Sequence, residues 1–273
     1  MYNDEFYKKV VNHHNIVQNK ETENGNVVLM TVAVGSQNYG LDTPESDCDT
    51  FSFILPDFLS FIRGDAPKSY EFEVEDGKCM VKDMRLALNL LRKPSPNSVE
   101  CFVGQYKVYR KIYTPIFEKW LSEKPSFYFD KNSSLFYLTH CNYKHMIDAI
   151  MGMIKSMEGR NMSYGKKASH LLRLTSLFYR YLDDSLLPHQ YLTMDSTIRN
   201  IALDMKLNDI TKEKYEQLEE KYCKELQEQY NVIDFNNSKY KNYEEYGKDS
   251  INFFQKDLTE IYLGEHGYES YST

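Results

Sequence analysis

The sequence has no apolar run longer than Val27 to Val34, broken only by Thr31, whereas a membrane-spanning helix requires about 20 such residues. Its opening residues, Met1-Tyr2-Asn3-Asp4-Glu5, carry neither the basic stretch nor the apolar core of a secretory signal. The five cysteines (Cys48, Cys79, Cys101, Cys141, Cys223) include no C-x-x-C pair, and an odd, scattered set argues against a disulfide frame or a zinc knuckle. Repeats and low-complexity segments are absent. A cytoplasmic protein with reduced thiols and no membrane partner is the expectation. What is present is an ordinary globular balance: 273 residues, 41% hydrophobic and 27% charged, enough for one or two domains with sizeable cores.

The net charge of −7 argues against sequence-independent coating of nucleic acid, which relies on many neutralised phosphates. The charge is uneven, however. From Thr211 onward 14 acidic residues face 8 basic ones, while Lys144 to Arg180 holds seven Lys/Arg against Asp148 and Glu158. The basic stretch can attract phosphate or can be a solvated helix face. The acidic region could form a contact segment for another protein.

Periodicity divides the chain near residue 110. Tyr2 to Gln18 has the spacing of an amphipathic helix, and Val27 to Val34 reads as a buried strand. Asp47 to Leu55 reads as a second strand, stopped by Pro56. Tyr70–Val74 and Lys78–Lys82 alternate around Asp76-Gly77, which predicts a hairpin. Met84 to Arg92 has helical spacing that Pro94 and Pro96 end. Beyond Pro115, the segments 116–122, 135–157, 163–182, 212–229 and 243–263 read as helices, and Leu186 to Leu207 is ambiguous between loop and short helix. The expected fold class is α+β: a mixed-sheet domain over residues 1–110, then a helical domain over 111–273.

The chemistry concentrates in Gly35-Ser36-Gln37-Asn38-Tyr39-Gly40-Leu41 followed by Ser46-Asp47-Cys48-Asp49. A buried strand delivers a Gly-Ser turn, whose close-approaching amides and hydroxyl can hold phosphate oxygens. A second strand then begins with Asp-x-Asp, and residues i and i+2 of a strand face the same side about 6–7 Å apart, so the two carboxylates can share divalent cations. Alone, Asp-x-Asp is also what a solvated strand opening looks like.

These residues resemble the DNA polymerase beta-type nucleotidyltransferase superfamily, and within it the group carrying G-S-x-x-Y-G and S-D-x-D. Lys82-Asp83 with Pro96-Asn97-Ser98-Val99-Glu100 is similar to that group's strand-Asp-helix and N-P-N-x-x-E segments, with Ser95 in place of the expected Asn. Lys166 to Leu174 is similar to its Lys-x-x-x-His-x-x-Arg-Leu helix. The resemblance spans about residues 27 to 180. It implies a polymerase-beta-like N-terminal domain that moves an NMP from an NTP to an acceptor hydroxyl on RNA, protein or a small molecule. Asp47, Asp49 and Asp83 would hold two Mg²⁺ ions, with Glu71, Glu73 and Glu75 in reserve for the third carboxylate and a helix N-cap as the other reading of Asp83. Gly35, Ser36, Tyr39, Lys167, His170 and Arg173 would line the nucleotide, ATP being one such NTP. Tyr39 could instead pack behind the turn, His170 could be a core histidine, and Lys167 and Arg173 could be ordinary surface charges. Glu100 reads as a buttress for the fold. His13-His14 and His140-Cys141…His145 invite a metal reading, but zinc is not expected, the second set mixing i+1 and i+5 spacing that converges poorly on a helix. The same fold can also serve as a nucleotide-binding, antitoxin-like module without turnover. A helical half that binds an RNA acceptor is a further reading, although no RNA-binding motif accompanies it.

Overall fold

The computed structural model describes residues 3–65, 68–121 and 135–265. In chain order it contains α1 (Asp4–Glu23), β1 (Val27–Val34), β2 (Asp49–Leu55), α2 (Phe58–Arg63), β3 (Ser69–Val74), β4 (Gly77–Asp83), α3 (Met84–Leu91), α4 (Pro96–Val103) and β5 (Lys107–Tyr109). All later elements are helical: α5 (Thr114–Leu121), α6 (Leu135–His140), α7 (Tyr143–Lys155), α8 (Tyr164–Leu182), α9 (Ser196–Asn208), α10 (Lys212–Val232) and α11 (Ser238–Glu265). The architecture is therefore α+β, a five-stranded mixed sheet with flanking helices followed by a helical region. No helix among the described residues is long and apolar enough to cross a membrane.

The strand order is β3-β4-β2-β1-β5. β1 lies between β2 and β5, antiparallel to both, which is why its residues are buried almost throughout and read as a continuous apolar run. β3 and β4 form the Asp76-Gly77 hairpin, and β4 runs parallel to β2. Gly77 has φ 156°, and a Cβ there would stand 2.3 Å from the Cys48 carbonyl oxygen, so this hairpin can approach β2 only with glycine at its turn.

α1 covers one face of the sheet, where Val17, Val28, Ile54, Cys79 and Val81 pack together. Its N-terminus is capped by Asn3, whose Oδ1 accepts from the Glu5 and Phe6 amides. The other face carries Phe53 and Leu55 into a core that continues through Trp120, Ile147, Leu174 and Phe254, so one hydrophobic cluster joins the sheet to the later helices. α8 runs through the middle of it. α11 returns to the sheet: the Tyr262 hydroxyl donates to the Pro56 carbonyl, and Trp120 Nε1 and Lys119 Nζ both reach Asp257 Oδ2 at 2.7 Å.

Three differences from the sequence expectation have local causes. Pro96 begins a helix instead of only ending one: it occupies the first turn of α4 behind the Ser95 cap, where its missing N–H costs nothing. The segment 135–157 is two helices, because Asn142 breaks the run and caps α7 through the His145 amide. Leu186–Leu207 resolves into a short 3₁₀ turn and α9, capped by Asp195.

Candidate functional site

β1 ends at Val34, which pairs in register with Asp49 at the start of β2. Antiparallel pairing therefore places the turn that leaves β1 beside the carboxylates that enter β2. Gly35 leaves the strand at φ 96°, a conformation L side chains avoid, and nothing lies within 4 Å of where a Cβ would be. The turn consequently faces open space. Ser36 to Tyr39 form one 3₁₀ turn, and the Ser36 hydroxyl has no hydrogen-bond partner among the described residues.

The Gly35 amide does not match its expected role. It donates to Glu100 Oε1 at 2.6 Å, and Asn38 Nδ2 donates to the same oxygen at 3.0 Å. Glu100, buried at the C-terminal side of α4, fastens the turn as a buttress, which leaves the Ser36 hydroxyl as the group facing outward. Tyr39 also turns inward: it is 3% exposed, and the Arg173 guanidinium lies 4.5 Å over its ring. It packs behind the turn and offers no face to a base.

Asp47 is exposed and Asp49 half-buried. Asp49 Oδ1 accepts from the Lys78 amide at 3.2 Å. Burial pushes the Asp49 carboxyl above its usual range; the Lys78 amide opposes this, and the neighbouring charges of Asp47 and Glu73 add to it. Three carboxylates thus feel one another at this strand end. The Lys78 ammonium lies among them, 3.1 Å from Glu73 and 3.9 Å from Glu71.

Asp83 does not belong to this group. β2 and β4 are parallel, and Asp83 pairs with Ile54, five residues beyond Asp49 and roughly 16 Å further along the sheet. There it caps α3 through the Arg85 amide and is ion-paired with the Arg85 guanidinium at 2.7 Å. The nearest acid across the sheet is Glu73 of β3, which stands beyond Lys78 of the intervening β4.

The α8 motif divides in the same way. Lys167 is buried and donates to the Glu158 carbonyl at 2.6 Å, next to the Tyr164 and Tyr215 rings, so it braces the helix and does not reach the turn. Arg173, 8% exposed, sits 4.0 Å from Glu100 Oε2 and over Tyr39, tying α8 to the turn from behind. His170, on the same helix, has its pKa lowered to about 4, by burial first and then by the charges of Arg173, Arg160, Lys206 and Lys166. An imidazole held neutral by burial, with four cations near enough to add to the shift, marks a region of surplus positive potential. Lys206 Nζ donates to the Leu41 carbonyl at 2.6 Å, and the Arg199 side chain would touch a Cβ at Gly40, so α9 brings this basic region against the end of the same turn. Arg199 and Lys206, which the motif reading missed, lie in the segment whose periodicity was ambiguous.

On Asp49's face of the sheet a cavity of about 110 Å³ opens beyond Phe51, lined also by Phe53, Lys82, Leu90, Asn97 and Phe102. On the opposite face, Cys48 is buried beside His13 and Asp76, a grouping that residues so far apart in sequence do not announce. His140, by contrast, is stacked between Phe136 and Tyr181 and gathers no metal-binding neighbours among the described residues. No protein-family model and no curated protein sequence matches the chain.

Proposed function

We propose that the chain is a Mg²⁺-dependent nucleotidyltransferase of polymerase-beta-like fold, moving an NMP from an NTP such as ATP to an acceptor hydroxyl. The observation that carries this reading is the juxtaposition at the strand ends: an open Gly35-Ser36 turn directly beside Asp47 and Asp49. Carboxylate oxygens are the donors Mg²⁺ takes, and the mutual repulsion of Asp47, Asp49 and Glu73 is what a divalent cation would relieve. Asp47 and Asp49 would hold the ion or ions, and Asp83, at the far end of the sheet, would not join them. When bound, such ions lower the pKa of the attacking hydroxyl and neutralise the leaving pyrophosphate. The Ser36 hydroxyl would donate to a phosphate oxygen, and neutral His170 with Lys206, Arg160 and Lys166 would attract the polyphosphate from the helical side. The cavity past Phe51 would receive an apolar or aromatic part of a substrate. The acceptor class, RNA or protein first among them, follows from experiment.

The test is incubation of the protein with each α-labelled NTP and Mg²⁺, with and without total RNA and a lysate. Asp47→Asn/Asp49→Asn is the control. Label on RNA, protein or a small product, lost in the double variant, is the expected result; transfer that survives in the variant would remove the metal assignment. One observation favours a second reading, a nucleotide-binding module without turnover: the Lys78 ammonium already lies among the acids. Nucleotide binding without pyrophosphate release would select it.

A further inference from the structure

Asp47 and Asp49 flank a residue that points the other way. Cys48 is fully buried on the α1 face, and its neighbours there are His13 from α1 and Asp76 from the β3–β4 turn. One ligand atom from each, the Cys48 Sγ, a His13 ring nitrogen and an Asp76 carboxylate oxygen, lies within 4.8 Å of the other two. Three elements separated by tens of residues converge on one point.

We infer that His13, Cys48 and Asp76 form a binding site for a transition-metal ion of the zinc(II) class, and that the ion clamps the Asp47–Asp49 segment to α1 and the β3–β4 turn. Nitrogen, thiolate and carboxylate oxygen are the zinc donor set; a thiolate disfavours Mg²⁺ and Ca²⁺, which take oxygen. One thiolate and one carboxylate would balance the ion's two charges. His13 Nε2 and Asp76 Oδ1 are in direct hydrogen-bond contact at 2.7 Å, so an ion would replace the proton they share and part the two donors slightly around itself. His13 Nδ1 lies 3.0 Å from Thr50 Oγ1, an outer contact that fixes the ring as metal-bound histidines require. The Cys48 amide donates to the Asp76 carbonyl at 2.7 Å, and Gly77 rests against the Cys48 carbonyl, so Cys48 and the hairpin turn are held together without the ion. Asp76, with a side chain 27% exposed, is the route from solvent, and a water would complete a fourth position there. On binding, the thiol proton and any proton shared between Nε2 and the Asp76 carboxylate leave to solvent, and no oxidation state changes. The site stands on other atoms than the proposed nucleotide site, and its test is independent of turnover.

The experiment is titration of the chelator-stripped full chain with Co²⁺, a spectroscopic stand-in for Zn²⁺. The expected result is one equivalent bound with a thiolate-to-cobalt charge-transfer band, displaced by Zn²⁺. Cys48→Ser should abolish the band, Thr50→Val should weaken binding about tenfold or more, and Cys223→Ser, at a half-exposed thiol, should leave it unchanged. Asp76→Asn, which keeps the thiol and tests the site separately from Cys48 burial, should weaken binding as well. Absence of a stoichiometric band, or a band that survives Cys48→Ser, overturns the site. Hydrogen exchange read at residues 47–49 should slow when Zn²⁺ is added; unchanged exchange with metal bound overturns the clamp.

Discussion

The two faces of β2 carry different chemistries on consecutive residues. Asp49 opens β2 half-buried on the side of the later helices, with exposed Asp47 just before it and near enough to add its charge, whereas Cys48 and Thr50 lie under α1, buried and engaged with His13, Asp76 and Cys79. The period of two in a strand makes this possible without any extra element. The more exposed side holds like charges close together; the buried side holds groups that already have partners and would accept an ion only by giving up protons. A strand opening can therefore be a site on one side and its own support on the other.

The comparison breaks most sharply at the carboxylates. Asp47→Asn/Asp49→Asn should reduce nucleotidyl transfer to background while the urea midpoint shifts little, because Asp47 is exposed and an amide at half-buried Asp49 can still accept from the Lys78 amide without the cost of burying a charge. Arg173→Met acts behind the same turn and should do the reverse in kind: it leaves Glu100 buried without its cation, costing about 3–5 kcal/mol of stability by denaturant titration. A third test separates ligand-facing from packed histidines. His140 is fully buried, its pKa is lowered to about 4 chiefly by burial, and Nε2 has no hydrogen-bond partner among the described residues. The unfolded chain binds this proton first, so the stability His140 contributes is complete above pH 6.5 and lost as pH falls toward 4, by about 3 kcal/mol. Melting curves between pH 7 and 4.5 should show that slope, and His140→Phe should flatten it. The smallest effect belongs to Asp83→Asn, which keeps a helix cap but loses the Arg85 ion pair. It should cost about 2 kcal/mol and leave transfer intact, unlike the same change at Asp49.

How much of this was readable beforehand follows from what each signal depends on. β1 and the Asp76-Gly77 hairpin were legible because a buried central strand and a D-G turn are local patterns. α4 was not, since Pro96 reads as a terminator until its Ser95 cap is seen. The Gly-Ser turn and Asp-x-Asp pair lie side by side because two neighbouring strands are antiparallel, a pairing that a short connection favours. Asp83 misled because a strand-Asp-helix sequence serves a cap and a metal equally well; only the parallel pairing of β2 with β4, which nothing local encodes, moves it to the far end of the sheet. Lys167 and Arg173 carried the right charge on the right helix, but helix rotation sends one to Glu158 and the other behind Tyr39. His13, Cys48 and Asp76 share no spacing rule and meet only through packing.

The hydrogen bond from Tyr262 to Pro56 joins positions 206 residues apart, across an otherwise local sheet. For a chain emerging from a ribosome at about 5–20 residues per second, the last strand, β5, would be complete roughly 8–30 seconds before Tyr262 arrives. During that interval Phe58 and Phe61 of α2 and Trp120 of α5, whose rings later meet Tyr262 and Phe254 of α11, lack that cover.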